Sequence, residues 1–128
     1  MRRRLRKKRR LAEFRELGFL AGARFPAGLS DDEVCEASWR FVAECVEPLG
    51  LSCGGGGGGR DDFAWFVTRR RRGGATAADR ARVEAWLEAY EVAVATAVGP
   101  LVDAWHAPET EYLRQQRALF ARLREGLS

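Results

Sequence analysis

The chain has 128 residues and a formal net charge of +4, from 22 Lys and Arg against 18 Asp and Glu. That length suits one domain built around one hydrophobic core. Its apolar runs are all short, and none of signal-peptide length follows the basic opening, so neither a secretory signal nor a membrane span is expected and the predicted location is cytoplasmic.

The charge is unevenly placed. Eight of the nine residues at 2–10 are Arg or Lys, and the remaining chain holds 14 basic against 18 acidic residues. Eight like charges repel one another and gain nothing unless a polyanion is near. Arg2, Arg3, Arg4, Arg6, Lys7, Lys8, Arg9 and Arg10 are therefore a candidate arm for phosphate-rich partners, while the acidic body discourages indiscriminate adhesion to a polyanion. The acidic body is expected to face basic proteins or to limit how deeply the domain settles into RNA.

Leu11, Phe14 and Leu17 recur every three residues and predict a short docking helix that Gly18 ends. "GFLAGARF", residues 18–25, alternates with Phe19, Ala21, Ala23 and Phe25 on one side, as a half-buried strand does. Ser30 and Glu33 form a capping box, with Asp31 and Asp32 in the first turn, for a helix whose stripe is Val34, Ser38, Phe41, Cys45 and Leu49. Leu51 to Cys53 predict a strand running into six glycines, 54–59, and "FAWFVT", 63–68, the partner strand of that hairpin. After "RRRRGG", 69–74, Thr76 caps a helix through residue 90, with Val83, Trp86, Leu87 and Tyr90 on its buried side. A strand at 92–98 places Val92, Val94 and Val98 on one face, and "GPLVDAWH" then descends from the sheet.

The order strand, helix, strand, strand, helix, strand predicts an α+β, ferredoxin-like split βαβ domain: a four-stranded antiparallel sheet with two crossover helices. A further C-terminal helix, with Leu113, Gln116, Phe120, Leu123 and Leu127 in helical spacing, either covers the sheet's second face or pairs with another chain as a homodimer. The domain plan is an arm at 1–10, a body at 11–106 and an extension at 107–128. With strand order 4-1-3-2, the arm lies near Arg69, Arg70, Arg71 and Arg72. Guanidinium groups suit phosphate oxygens, so the two runs are expected to form one salt-sensitive patch, although a loop of four arginines is equally a plain solvated face.

Other sites carry less. The glycine run lacks the Lys and Ser/Thr of a phosphate-binding loop and reads as a hairpin turn. Asp61 and Asp62 are adjacent, point to opposite faces and are expected in a solvent-facing loop rather than a metal site. His106 stands without a nucleophile motif, and no catalytic residue is assigned. Cys35, Cys45 and Cys53 lack the paired spacing of zinc or redox sites and are expected reduced and mostly buried, so no metal or other cofactor is implied. "FAWFV", 63–67, is similar to the aromatic strand of RNA-recognition motifs and makes Trp65 a possible sheet-face contact for a base.

Several stretches together carry a more specific likeness. They are "RRLRKK" at 3–8, "EF" at 13–14, "ELGF" at 16–19, "LSDDE" at 29–33, "LSCGG" at 51–55, "DR" at 79–80, "WLE" at 86–88 and "GPLVDAW" at 99–105. In this order they resemble the YggL family of small bacterial proteins, across residues 2–105. The resemblance implies association with the large (50S) ribosomal subunit and no enzymatic activity. It marks Arg3, Arg4, Arg6, Lys7 and Lys8 as the family's basic arm and Glu16 to Phe19 as its junction with the domain. The sequence departs from the family where the glycine turn expands to Gly54–Gly59 and is followed by Arg60, Asp61 and Asp62. The expected function is thus non-enzymatic 50S binding through rRNA phosphates, in subunit assembly or translation. The alternatives are a protein-interaction module dimerising through 107–128 and a general RNA-binding domain.

Overall fold

The structure is a computed structural model and describes residues 17–55, 61–69, 74–103 and 109–125. Its strands are β1 (Leu17–Arg24), β2 (Leu51–Gly55), β3 (Asp62–Arg69), β4 (Ala95–Val98) and β5 (Val102–Asp103). Its helices are α1 (Asp31–Phe41), α2 (Ala77–Glu88) and α3 (Glu109–Leu123). The fold class is α+β with an open antiparallel sheet of five strands, ordered β2-β3-β1-β4, with β5 also paired to β1.

The fifth strand corrects the expected four, and Pro100 supplies the reason. β4 lies along the second half of β1, from Arg24↔Ala95 to Ala21↔Val98, and β5 along its start, Gly18↔Val102 and Leu17↔Asp103. The Gly99 N–H still donates to the Leu20 carbonyl at 2.7 Å. Pro100 has no N–H to continue the ladder, so the chain leaves the sheet and returns two residues later. The same edge is thus one strand interrupted, and "GPLVDAWH" does not simply descend. The expected common face at 92–98 also changes: Val98 is buried, whereas Val94 precedes β4 and is exposed.

Side-chain parity divides the core in two. Phe19, Ala21, Ala23 and Phe25 share one cluster with Trp65, Val67, Phe41, Val83 and Leu87 beneath α1 and α2. Leu20 and Ala64 point the other way and meet Ala97, Leu119 and Leu123 beneath α3. A strand covered on both faces buries consecutive residues, which is why six in a row from Gly18 to Ala23 are shielded.

α1 begins with the expected capping box: the Ser30 hydroxyl accepts the Glu33 N–H at 3.1 Å, and the Glu33 carboxylate accepts the Ser30 N–H at 3.0 Å. That backbone hydrogen bond to Ser30 holds the Glu33 carboxyl below the ordinary range. The helix continues through a π turn at Val42–Val46, closed by the Glu47 N–H on the Val42 carbonyl at 2.9 Å. The wider turn brings both Cys45 and Val46 into the core. At α2, Thr76 and Asp79 form a second capping box, with Asp79 buried.

Candidate functional site

The start of β1 stands beside Gly74, the first described residue after the second basic segment. Leu17 pairs with Asp103 of β5 and bridges Gly74 in parallel, and its carbonyl accepts the Ala75 N–H at 2.7 Å. Gly18 faces Thr68, so the same register sets Leu17 against Arg69. Arg69 and Gly74, the described residues that flank 70–73, are therefore both placed beside Leu17, the first described residue. Gly74 adopts φ +69°, a left-handed conformation open to glycine at little cost.

Arg69 has an internal task at this point. Its guanidinium donates to the buried Asp79 carboxylate at 3.3 Å, and the same carboxylate accepts the Thr76 N–H at 2.9 Å. Asp79 thus ties the end of β3 to the first turn of α2, and the Arg69 side chain keeps about a third of its surface exposed. Arg2, Arg3, Arg4, Arg6, Lys7, Lys8, Arg9, Arg10, Arg70, Arg71 and Arg72 lie outside the described residues, as do Gly56–Gly59, His106 and the predicted docking helix up to residue 16; Leu17, expected to close that helix, instead opens β1.

Sequence reasoning missed two further arginines toward this end. Arg80 donates to the carbonyls of Gly99 (2.7 Å) and Val98 (2.9 Å), and Arg122 to Val98 at 3.2 Å. They converge where β4 breaks off, opposite Leu20 and Ala21, roughly 10 Å along β1 from Leu17. Nothing local in the sequence marks them, because their meeting depends on sheet register and on the path of α3.

The base-stacking expectation for Trp65 is corrected. Trp65 is 2% exposed and stacks on Phe41 with ring centroids 4.2 Å apart and planes 28° from parallel. It faces α1 and α2, where Phe63 and, through Phe41, Trp86 extend the aromatic stack. The opposite face is closed too. α3 lies across it, with Leu119 and Leu123 buried and Phe66 edge-on to Tyr112 at 5.6 Å. Gly22 permits that approach, since a Cβ there would come within 2.9 Å of both leucine side chains.

Asp62 is also corrected from a solvent-facing acid to a buried anchor. Its carboxylate accepts the Arg124 Nε at 2.7 Å and a terminal nitrogen at 3.2 Å, and this keeps the Arg124 guanidinium charged above its ordinary range. Arg24 reinforces the same end of α3 by donating to the Leu123 carbonyl at 2.7 Å. Among the described residues no group of three or more His, Cys, Asp or Glu side chains is placed to hold a metal, and no helix is long and apolar enough to cross a membrane.

The cysteines divide by environment: Cys35 is exposed, Cys53 half-buried and Cys45 buried, with no disulfide. Exposure of Cys35 departs from the expected burial. Desolvation pushes the Cys45 thiol up to about 12, and that of Cys53 upward as well.

Comparison with known proteins adds a family. The sequence pattern of the family described as "YggL 50S ribosome-binding protein" matches residues 3–106. A Haemophilus influenzae protein described as uncharacterized is 47% identical over 49 residues, which are 38% of this chain and 43% of that protein. The chain thus matches less than half the length of that relative. No solved structure matches significantly.

Proposed function

The chain belongs to the YggL family of 50S ribosome-binding proteins, and from that premise we propose that it is a non-enzymatic binder of the large ribosomal subunit that grips rRNA phosphates. In this reading Arg2, Arg3, Arg4, Arg6, Lys7, Lys8, Arg9 and Arg10 form one half of a phosphate-binding patch. Arg70, Arg71 and Arg72 form the other, with Arg69 fastening the base of their loop. Phosphate contacts of this kind position a protein without reading bases. Binding to ribosomes places its work in the cytoplasm, during subunit assembly or translation.

The observation that carries this reading is the junction at Leu17. Arg69 and Gly74, which bracket Arg70–Arg72, both stand beside Leu17, seven residues after the end of the N-terminal basic run, and this supports a joint patch. Closure of both sheet faces directs RNA contact away from base stacking and toward this basic end. We read the core as a ferredoxin-like β-α-β-β-α-β unit with an added edge strand, and residues 107–128 as an extension that completes its second layer. Burial of Leu119 and Leu123 against their own sheet argues against dimerisation through that face.

Sucrose-gradient co-sedimentation with purified 30S, 50S and 70S particles tests the partner, with unrelated structured RNA as competitor. Migration with 50S that resists the competitor supports the reading. Equal loss to any structured RNA points instead to a general RNA-binding domain.

A further inference from the structure

The outer face of α1 bears features that packing does not use. Trp39 is 66% exposed, more than any other large hydrophobic side chain among the described residues. Trp65, by contrast, is buried in the aromatic stack. One helical turn before Trp39 stand Cys35 and Glu36, and a further turn back stands Asp32, all exposed. Asp32 and Glu36 have no ion-pair or hydrogen-bond partner among the described residues. The one basic residue of α1 does not neutralise them. Arg40 is held by Glu44 and Glu91, each at 3.1 Å, and lies 5.0 Å from the Tyr90 ring centroid.

An exposed indole beside unpaired carboxylates is poorly suited to RNA, whose phosphates the carboxylates repel. It is well suited to a cationic side chain, since the indole face is the strongest aromatic acceptor for a cation and the carboxylates complete the charge pairing. Tryptophan is also among the residues that dominate protein interfaces. We propose that the outer face of α1, centred on Trp39 and flanked by Asp32 and Glu36, docks an Arg- or Lys-rich protein segment. On the large subunit this face takes protein while the basic end of the sheet takes RNA. The placement on the ribosome rests on the function proposed above; the chemistry of the face does not.

The test uses the full chain, Trp39→Ala and Glu36→Lys, each first shown to retain the thermal unfolding midpoint, as exposed positions should. Affinity is measured for intact 50S particles, for protein-free 23S rRNA, and for a labelled synthetic peptide of alternating Arg and Gly. Each variant is expected to lose about tenfold or more on 50S and on the peptide, with rRNA binding unchanged. Undiminished binding of both variants to 50S overturns the proposal. An equal loss on naked rRNA also overturns it, by making the face an RNA contact. So does concentration-dependent self-association that Trp39→Ala abolishes, because the occupant is then a second copy. If the unsubstituted chain fails to bind 50S, the proposed function falls, and the peptide alone decides the face: a Trp39-dependent complex sustains it and none refutes it.

Discussion

The carbonyl of Leu17 accepts the backbone N–H of Ala75 at 2.7 Å, and Leu17 bridges Gly74 beside it. This contact sets Leu17, the first described residue, beside Gly74, the first described residue after Arg70–Arg72. Like charges brought together repel, so the proposed joint patch gains most when a polyanion lies across both basic runs.

Gly74 is the tightest conformational requirement at that junction, buried and at φ +69°. Gly74→Val should destabilise the protein by about 1–3 kcal/mol, because a β-branched residue is strained there. Gly74→Asn should cost less, since Asn tolerates the left-handed region. Urea unfolding of the two variants measures the difference.

Gly22 and Gly54 make a second contrast. A Cβ at Gly22 meets Leu119 and Leu123 at 2.9 Å and the Phe63 carbonyl at 3.1 Å, whereas one at Gly54 meets nothing within 4 Å. Gly22→Ala is expected to lower stability by about 1–3 kcal/mol through overpacking. Gly54→Ala should stay within about 0.5 kcal/mol of the original. Combining Gly22→Ala with Leu119→Ala should cost less than the two changes summed, as a shared contact requires.

Removal of the Arg124 side chain strips the buried Asp62 carboxylate of its two-pronged donor. Arg124→Ala is expected to cost about 1–3 kcal/mol, the penalty of a buried acceptor left short of partners. Amide hydrogen exchange should rise first along α3, whose C-terminal end this pair and the Arg24 contact with the Leu123 carbonyl both hold.

Thiol chemistry follows burial. At pH 8 a disulfide reagent should modify Cys35 rapidly and Cys53 slowly, and reach Cys45 only after denaturant is added. The folded Cys45 thiol keeps its proton to about pH 12, while an unfolded thiol releases it near pH 9. The native state therefore binds the extra proton, so Cys45 subtracts nothing below pH 9 and progressively reduces stability between pH 9 and 12. Cys45→Ala should flatten the alkaline limb of a stability–pH curve.

Much of this architecture was legible because it is local. Ser30 with Glu33 and Thr76 with Asp79 mark helix starts through short-range hydrogen bonds, and alternation assigned Phe19, Ala21, Ala23 and Phe25 to one face correctly. Register and partner choice were less accessible. Trp65 looked available for stacking because alternation states which residues share a face, not which layer covers it. Asp62 looked solvated because Arg124 lies 62 positions away. Pro100 interrupts the ladder, yet only the pairing of Gly18 with Val102 reveals that the chain returns. Trp39 falls outside the stripe of Val34, Ser38, Phe41 and Cys45, so helical spacing left it off the core without giving a reason for a tryptophan to stand exposed there.

The salt dependence of 50S binding tests the joint basic patch most directly, comparing the intact chain with variants neutralised at residues 2–10, at Arg70–Arg72, or at both. The intact chain should lose affinity steeply as salt rises, with the slope of log affinity against log salt falling by about 0.7–0.9 for each phosphate contact removed. Each neutralised segment should flatten the line, and both together should remove most of the slope. A line unchanged by either substitution would contradict the account and move the ribosome contact onto the folded body.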